Sequence, residues 1–150
     1  MRRQRIYIDT SVIGGCLDDG FAFESQALLE MARAGSIALV ISDIVLDELD
    51  GAPPEVQALL AELPEHAYEV VESSFESEAL RDSYLDANVV GYASRNDAHH
   101  VAIASVERVD MIVSWNFKHV VHLDKIRAFN AANLPEGCPL IEVRSPKEIV

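Results

Sequence analysis

A chain of 150 residues, 49% of them apolar, has the size of one domain and the material for a sizeable core, which excludes a disordered protein. Its formal net charge of −13 argues against a protein that grips nucleic acid by bulk positive charge, and suits either carboxylates gathered around metal ions or a surface that receives a basic partner. No apolar run reaches the length of a membrane span, Ile6-Tyr7-Ile8 is too short for a signal-peptide core, and Cys16 and Cys138 form neither a CxxC motif nor a disulfide framework, so the expectation is a single cytoplasmic domain over 1–150 with reduced thiols.

The first element is Ile6-Tyr7-Ile8, an uninterrupted apolar run that reads as a strand buried on both faces. It stops at Asp9-Thr10-Ser11, either a polar turn or helix cap, or a carboxylate presented at a strand end. After a glycine-containing turn (Gly14, Gly15), the spacing of Ala27, Leu28, Met31 and Ala32 predicts a helix over Glu24 to Ala34, stopped by Gly35. Ile37 to Ile41 reads as a second strand, and Ser42 as the cap of a short helix over Asp43 to Asp50. Pro53-Pro54 opens a further helix with Val56, Leu59, Leu60 and Leu63 inward. Ala67 to Glu72 reads as a weaker strand. Ser73 and Glu76 have the spacing of a capping box that introduces a helix to about Ala87, with Ala79, Leu80, Tyr84 and Ala87 inward. Asp97 to Arg108 is the clearest helix, its stripe made by Ala98, Val101, Ala102, Ser105 and Val106. Met111 to Val113 follows as a strand, His122 to Ala132 as a helix and Pro139 to Val143 as a last strand. Short apolar strands alternating with amphipathic helices predict an α/β fold: a three-layer α/β/α sandwich around a mainly parallel sheet.

Several polar groups fall where such a fold opens to ligands. At about 100° per residue, Val45, Leu46 and Leu49 mark the buried side of their helix; Asp47 points away and Glu48 lies on the border, either an ordinary boundary residue or, as this reading takes it, a carboxylate that can face a cleft. Asp97 opens its helix, a place the helix dipole favours for any carboxylate, and also lies at the edge of the apolar stripe. His99 falls across from that stripe and reads as exposed; His100 sits between, either within reach of the rim or, as the plainer reading, an ordinary surface histidine. Asn116 follows a strand as Asp9 does, or else is a loop asparagine that bonds its own backbone, and Lys118, two residues on, suits a phosphate oxygen. Trp115 and Phe117 read as packing groups rather than stacking platforms. His119 and His122 have zinc spacing but no Glu or Cys motif around them. Oxygen donors from four separated segments, Asp9, Glu48, Asp97 and Asn116, suit Mg²⁺ or Mn²⁺, hard cations that prefer carboxylate, amide oxygen and water.

The order of these pieces resembles a PIN-domain protein of the VapC toxin type. The matching stretches are Ile6-Tyr7-Ile8-Asp9-Thr10-Ser11, Ser42 through Leu49 with Glu48, Asn96-Asp97-Ala98-His99-His100-Val101-Ala102, and Ile112-Val113-Ser114-Trp115-Asn116-Phe117. The resemblance covers nearly the whole chain. It departs at the fourth acidic position, where this chain carries Asn116. It implies a metal-dependent endoribonuclease and the toxin of a type II toxin–antitoxin pair, with Asp9, Glu48, Asp97 and Asn116 as metal ligands and Ser11 and Asn116 orienting ligands or the attacking water. RNA as substrate, an antitoxin protein and a second copy of the chain in a homodimer are the partners it implies. Positive charge from Lys118, Lys125, Arg127 or the N-terminal arginines then has to guide RNA to an acidic molecule. The alternative is a non-catalytic PIN-like module that binds RNA or protein through a weakened metal site. A haloacid-dehalogenase-like phosphatase fits worse, because Ser11 stands where its second Asp belongs; the acidic pair and phosphoacceptor of a receiver domain are missing as well.

Overall fold

The structure, a computed structural model, describes residues 2–150. Five strands form one parallel sheet in the order β3-β2-β1-β4-β5: β1 (Gln4–Ile8), β2 (Ile37–Ser42), β3 (Tyr68–Val71), β4 (Met111–Val113) and β5 (Val143–Arg144). The central pair, β1 and β4, is joined in register from Ile6 opposite Met111 to Ile8 opposite Val113. Ile6, Tyr7, Ile8, Leu39, Val40, Ile112 and Val113 are buried, as continuous apolar strands covered on both faces must be.

The helices are α1 (Thr10–Gly15), α2 (Ala22–Arg33), α3 (Asp43–Asp50), α4 (Pro54–Ala61), α5 (Phe75–Asp86), α6 (Arg95–Val106), α7 (Leu123–Asn133) and α8 (Pro146–Ile149). The chain winds from β1 through β2 to β3 on one side, then returns past β1 to β4 and β5 on the other. Right-handed crossovers therefore place α1 to α4 over one face and α5 to α7 over the opposite face, and α8 returns to pack on α2. The α5–α7 layer is tied by Tyr84, whose hydroxyl donates to Asn133 Oδ1, while Asn133 Nδ2 donates to Ser105 Oγ at 3.0 Å.

Several local expectations need correction. The capping box of α5 is Ser74 with Ser77, one residue later than the Ser73/Glu76 reading, because Ser73 is engaged instead by the Asp43 carboxylate, taken by both its amide and its hydroxyl. Ala79 and Ala87 are exposed, and the inward face of α5 is Ser77, Leu80 and Tyr84. Leu46 is exposed: α3 is short and buries only Val45 and Leu49 fully. The final strand is Val143–Arg144 rather than Pro139 to Val143, and the capped turn α8 follows it. α6 starts at Arg95, so Asp97 is its third residue rather than its first.

The largest correction concerns α6. Every residue from Ala98 to Ser105 is buried, including His99 and His100, each only 3% exposed. α6 lies between the sheet and α5, so it has no solvent face along this stretch. His99 accordingly finds a partner in Ser77 Oγ (3.3 Å), and burial, followed by the charges of Arg81 and His100, pushes its pKa down. Among the described residues no helix is long and apolar enough to cross a membrane.

Candidate functional site

The sheet order makes β1 and β4 the seam where the winding direction reverses. In open parallel sheets the crevice beyond the carboxyl ends of such strands is where ligands bind. Asp9 immediately follows β1 and Ser114-Trp115-Asn116 immediately follows β4, so the register of the two strands sets these segments side by side.

Asp9 occupies the N-cap position of α1, yet its side chain makes no capping bond to that helix. It is 5% exposed and held by two serines: Ser11 Oγ donates to Oδ1 at 2.5 Å and Ser114 Oγ to Oδ2 at 2.6 Å. Each serine is itself fixed from behind. The Trp115 amide donates to Ser11 Oγ (3.0 Å) and the Asn116 amide to Ser114 Oγ (2.9 Å). The post-β4 loop and Asp9 thus form one hydrogen-bonded unit, and the carboxylate is oriented by Ser11 of α1 on one oxygen and by Ser114 at the sheet seam on the other.

Glu48 reaches the same crevice from α3, half-buried, as its border position predicts. Its Oε1 accepts from Thr10 Oγ1 at 2.6 Å and lies 2.9 Å from His100 Nε2. Among the described residues Oε2 has no hydrogen-bond partner. Burial pushes the Glu48 carboxyl up, but the His100 hydrogen bond and charge and the Thr10 hydroxyl outweigh it and hold the group below the usual range. Burial likewise opposes a charge on His100; the bond to Glu48 and the charges of Asp9, Glu48 and Asp97 win, and its pKa is raised. Asp97 behaves in the opposite way to Glu48. Burial dominates and lifts its pKa, against the Asn116 amide and the charges of His100 and His119, while Asp9 adds to the rise.

Asn116 turns its side-chain oxygen away from the crevice, since Oδ1 accepts the His119 amide at 3.0 Å. Its NH₂ end is left as a donor beside Asp97. Trp115 is buried and donates from Nε1 to Ser25 Oγ at 2.7 Å, a packing role as expected; Phe117 stands edge-on to it and is half exposed.

Asp9, Thr10, Ser11, Glu48, Asp97, His100 and Asn116 together line a shallow cavity of about 100 Å³. The sequence reading therefore named five of the residues here and missed two. Thr10 carried the signal of adjacency to Asp9. His100 carried the signal of a helix position within reach of the rim but was read first as surface, because its burial depends on α5 covering the outer side of α6. Ser114, which fixes Asp9 from below the cavity, was legible only as part of the strand end. Lys118 is exposed and lies outside the lining. Of the other cations expected to guide a substrate, Lys125 donates to the Val89 carbonyl, and Arg2, Arg3 and Arg5 lie at the far, amino-terminal rim of the sheet. They border a cavity of about 410 Å³, but there Arg2 pairs with Asp110 and Arg5 with Glu69, and Arg3 donates to the His66 carbonyl. Two of its three arginines are thus paired with carboxylates of the same chain.

Among the described residues no three His, Cys, Asp or Glu side chains are already closed around a point as a metal cage. The crevice instead offers hard oxygen donors, one of them Glu48 Oε2, in an open arrangement.

No protein-family model and no curated protein matches the chain. Solved structures do. The VapBC2 complex of Rickettsia felis, bound to a DNA fragment from its promoter, matches with a TM-score of 0.60 at 16% identity, over 95% of this chain and 98% of that one. VapC20 of Mycobacterium tuberculosis, a toxin that cleaves the sarcin-ricin loop, matches with a TM-score of 0.53 at 19% identity, over 89% of this chain and 99% of that one. The chain has the PIN-like fold of these VapC structures.

Proposed function

We propose that this chain is a metal-dependent endoribonuclease that hydrolyses RNA phosphodiester bonds, and the toxin of a type II toxin–antitoxin pair acting in the cytoplasm. The observation that carries the reading is the convergence of Asp9, Glu48, Asp97 and Asn116, from four separated segments, on one crevice at the seam of a PIN-like sheet. The donor set fits Mg²⁺ or Mn²⁺. Mg²⁺ keeps several waters and takes one or two carboxylates plus substrate phosphate oxygens, so an open crevice suits it better than a closed cage. When bound, such an ion lowers the pKa of water and offsets charge on the phosphate.

The chain's own residues divide the remaining work. Asp9, fixed at both oxygens by serine hydroxyls, supplies an oriented charge; Glu48 supplies Oε2 and Asp97 its carboxylate as further ligands. Ser11 holds Asp9 and lines the crevice. Asn116, with its NH₂ beside Asp97, donates either to that carboxylate or to a water or phosphate oxygen aligned for in-line attack. Lys118, two residues beyond Asn116, and Arg95, two before Asp97, give RNA a local positive approach on an acidic molecule. An antitoxin with a basic segment fits the same crevice by charge, and a homodimer belongs to the same reading.

The test is cleavage of structured RNA by the purified chain with Mg²⁺ or Mn²⁺. Asp9→Asn is expected to lower the rate about 100-fold or more, and a chelator to abolish it. Equal rates for wild type and Asp9→Asn, or indifference to chelator, sink the assignment. One observation favours a second reading, a non-catalytic binding module: Asn116 spends its only side-chain oxygen on His119. Such a scaffold binds RNA or protein but is indifferent to Mn²⁺, so a metal titration separates the two.

A further inference from the structure

Three buried polar side chains, two beneath the crevice and one in its wall, are not accounted for by the proposed chemistry. Tyr7 is fully buried in β1, Ser42 is fully buried at the cap of α3, and His100 is 3% exposed in α6. Tyr7 Oη lies 2.7 Å from Ser42 Oγ and 2.7 Å from His100 Nδ1; His100 Nε2 lies 2.9 Å from Glu48 Oε1. Ser42 Oγ also accepts the Val45 amide at 3.5 Å. The chain of bonds leaves α3 at Ser42, crosses β1 and α6, and returns to α3 at Glu48. Its hydroxyls serve either protonation state of the ring. With the proton on Nε2 alone, Tyr7 donates to Nδ1 and Ser42 to Tyr7; with both nitrogens protonated, Nδ1–H donates to Tyr7 and Tyr7 to Ser42.

A core of this size is filled at less cost by Phe and Leu, because a buried polar group that loses its partner costs about 1–3 kcal/mol. What the polar version adds is control of one oxygen. Two donors, Thr10 Oγ1 and His100 Nε2, converge on Glu48 Oε1 and leave Oε2 turned to the crevice. We propose that Tyr7, Ser42 and His100 are positioning residues for Glu48: a closed hydrogen-bonded circuit that locks α3 against β1 and α6 and dedicates Glu48 Oε2 to the ligand of the crevice. This inference rests on the nuclease reading, in which Glu48 is a metal ligand.

The experiment is Mn²⁺ titration by calorimetry, with RNA cleavage kinetics, on wild type, Tyr7→Phe, His100→Leu, His100→Gln and the exposed control Asp47→Asn. Tyr7→Phe keeps the ring and deletes only the hydroxyl, so it folds even where His100→Leu fails. Removing partners that orient a metal ligand weakens metal binding about 10–100-fold. That loss is expected for His100→Leu, with a smaller loss of the same sign for Tyr7→Phe. His100→Gln regains most of the affinity, because its amide still donates to Glu48. The kinetic loss falls on kcat at saturating Mn²⁺, with KM for RNA unchanged. If Tyr7→Phe and His100→Leu lose melting temperature but bind Mn²⁺ within about twofold of wild type, the circuit is structural only and the proposal is wrong. If wild type binds no Mn²⁺, the nuclease reading fails first and takes the circuit's role with it.

Discussion

Asp9 and Asp97 show how differently two carboxylates of one crevice are supported. Asp9 was legible as an acid at a strand end, and of the competing accounts the structure removes the side-chain cap, since its carboxylate makes no capping bond. Of its two serine donors, Ser11 is two residues away and was named from the sequence, whereas Ser114 lies 105 residues on, which is why no local pattern announced it. Asp97 has no such clamp, and burial raises its pKa. The sign follows directly: a carboxyl whose folded pKa lies above its unfolded value of 3.8 stabilises the fold when protonated and loses that contribution as pH rises through the raised value. At neutral pH the metal-free protein therefore carries Asp97 at a cost, as functional sites commonly do. Asp97→Asn is expected to melt about 2 °C above wild type in metal-free buffer while losing Mn²⁺ binding. Calorimetric scans check this, and a lower melting temperature contradicts it. His100 was misread because helical periodicity assigns one inner face, whereas α6 is covered on both sides.

At the scale of elements, uninterrupted apolar runs gave the strands and helical spacing gave the helices, because both periods are local properties of the chain. Boundaries slipped where a tertiary contact decided them. Ser73 was drawn to Asp43 and the cap passed to Ser74; the last strand shrank to Val143–Arg144, the part that pairs with β4. α1 offers the sharpest packing test. A Cβ on Gly15 falls 2.7 Å from Ser25 Oγ and 2.9 Å from Trp115 Nε1, two atoms already bonded to each other. Gly15→Ala is expected to cost about 1–3 kcal/mol in urea unfolding, the usual penalty for overpacking. It is also expected to slow RNA cleavage, because the Trp115 amide that fixes Ser11 moves with its ring. Unchanged stability shows that the Ser25–Trp115 pair yields freely.

For the whole molecule, strand order was the least legible feature, since nothing in a strand's own sequence states its neighbour. The pairing of β1 with β4 places the crevice, and it joins segments about a hundred residues apart, as in the Ser114–Asp9 bond with its separation of 105. Charge also acts at this scale. Glu48, held below its ordinary 4.5, contributes stability that is complete above that value and lost as pH falls. His100, held above its ordinary 6.5, contributes stability that is complete below 6.5 and lost as pH rises through its raised value. The melting temperature of the metal-free protein is therefore expected to be highest between about pH 4.5 and 6.5, with the net charge of −13 steepening the alkaline fall. In His100→Gln the alkaline limb flattens; a profile identical to wild type refutes the pairing.

The seam between β1 and β4 has a consequence for synthesis. Asp9 is translated 105 residues before Ser114, and its clamp is incomplete until Ser114 and Asn116 have been added and β4 has slotted beside β1. Contacts of such long sequence separation form late and slowly. A chain cut short anywhere before β4 holds Asp9 without its Ser114 donor, so the crevice is assembled around the acid only after β4 has been made.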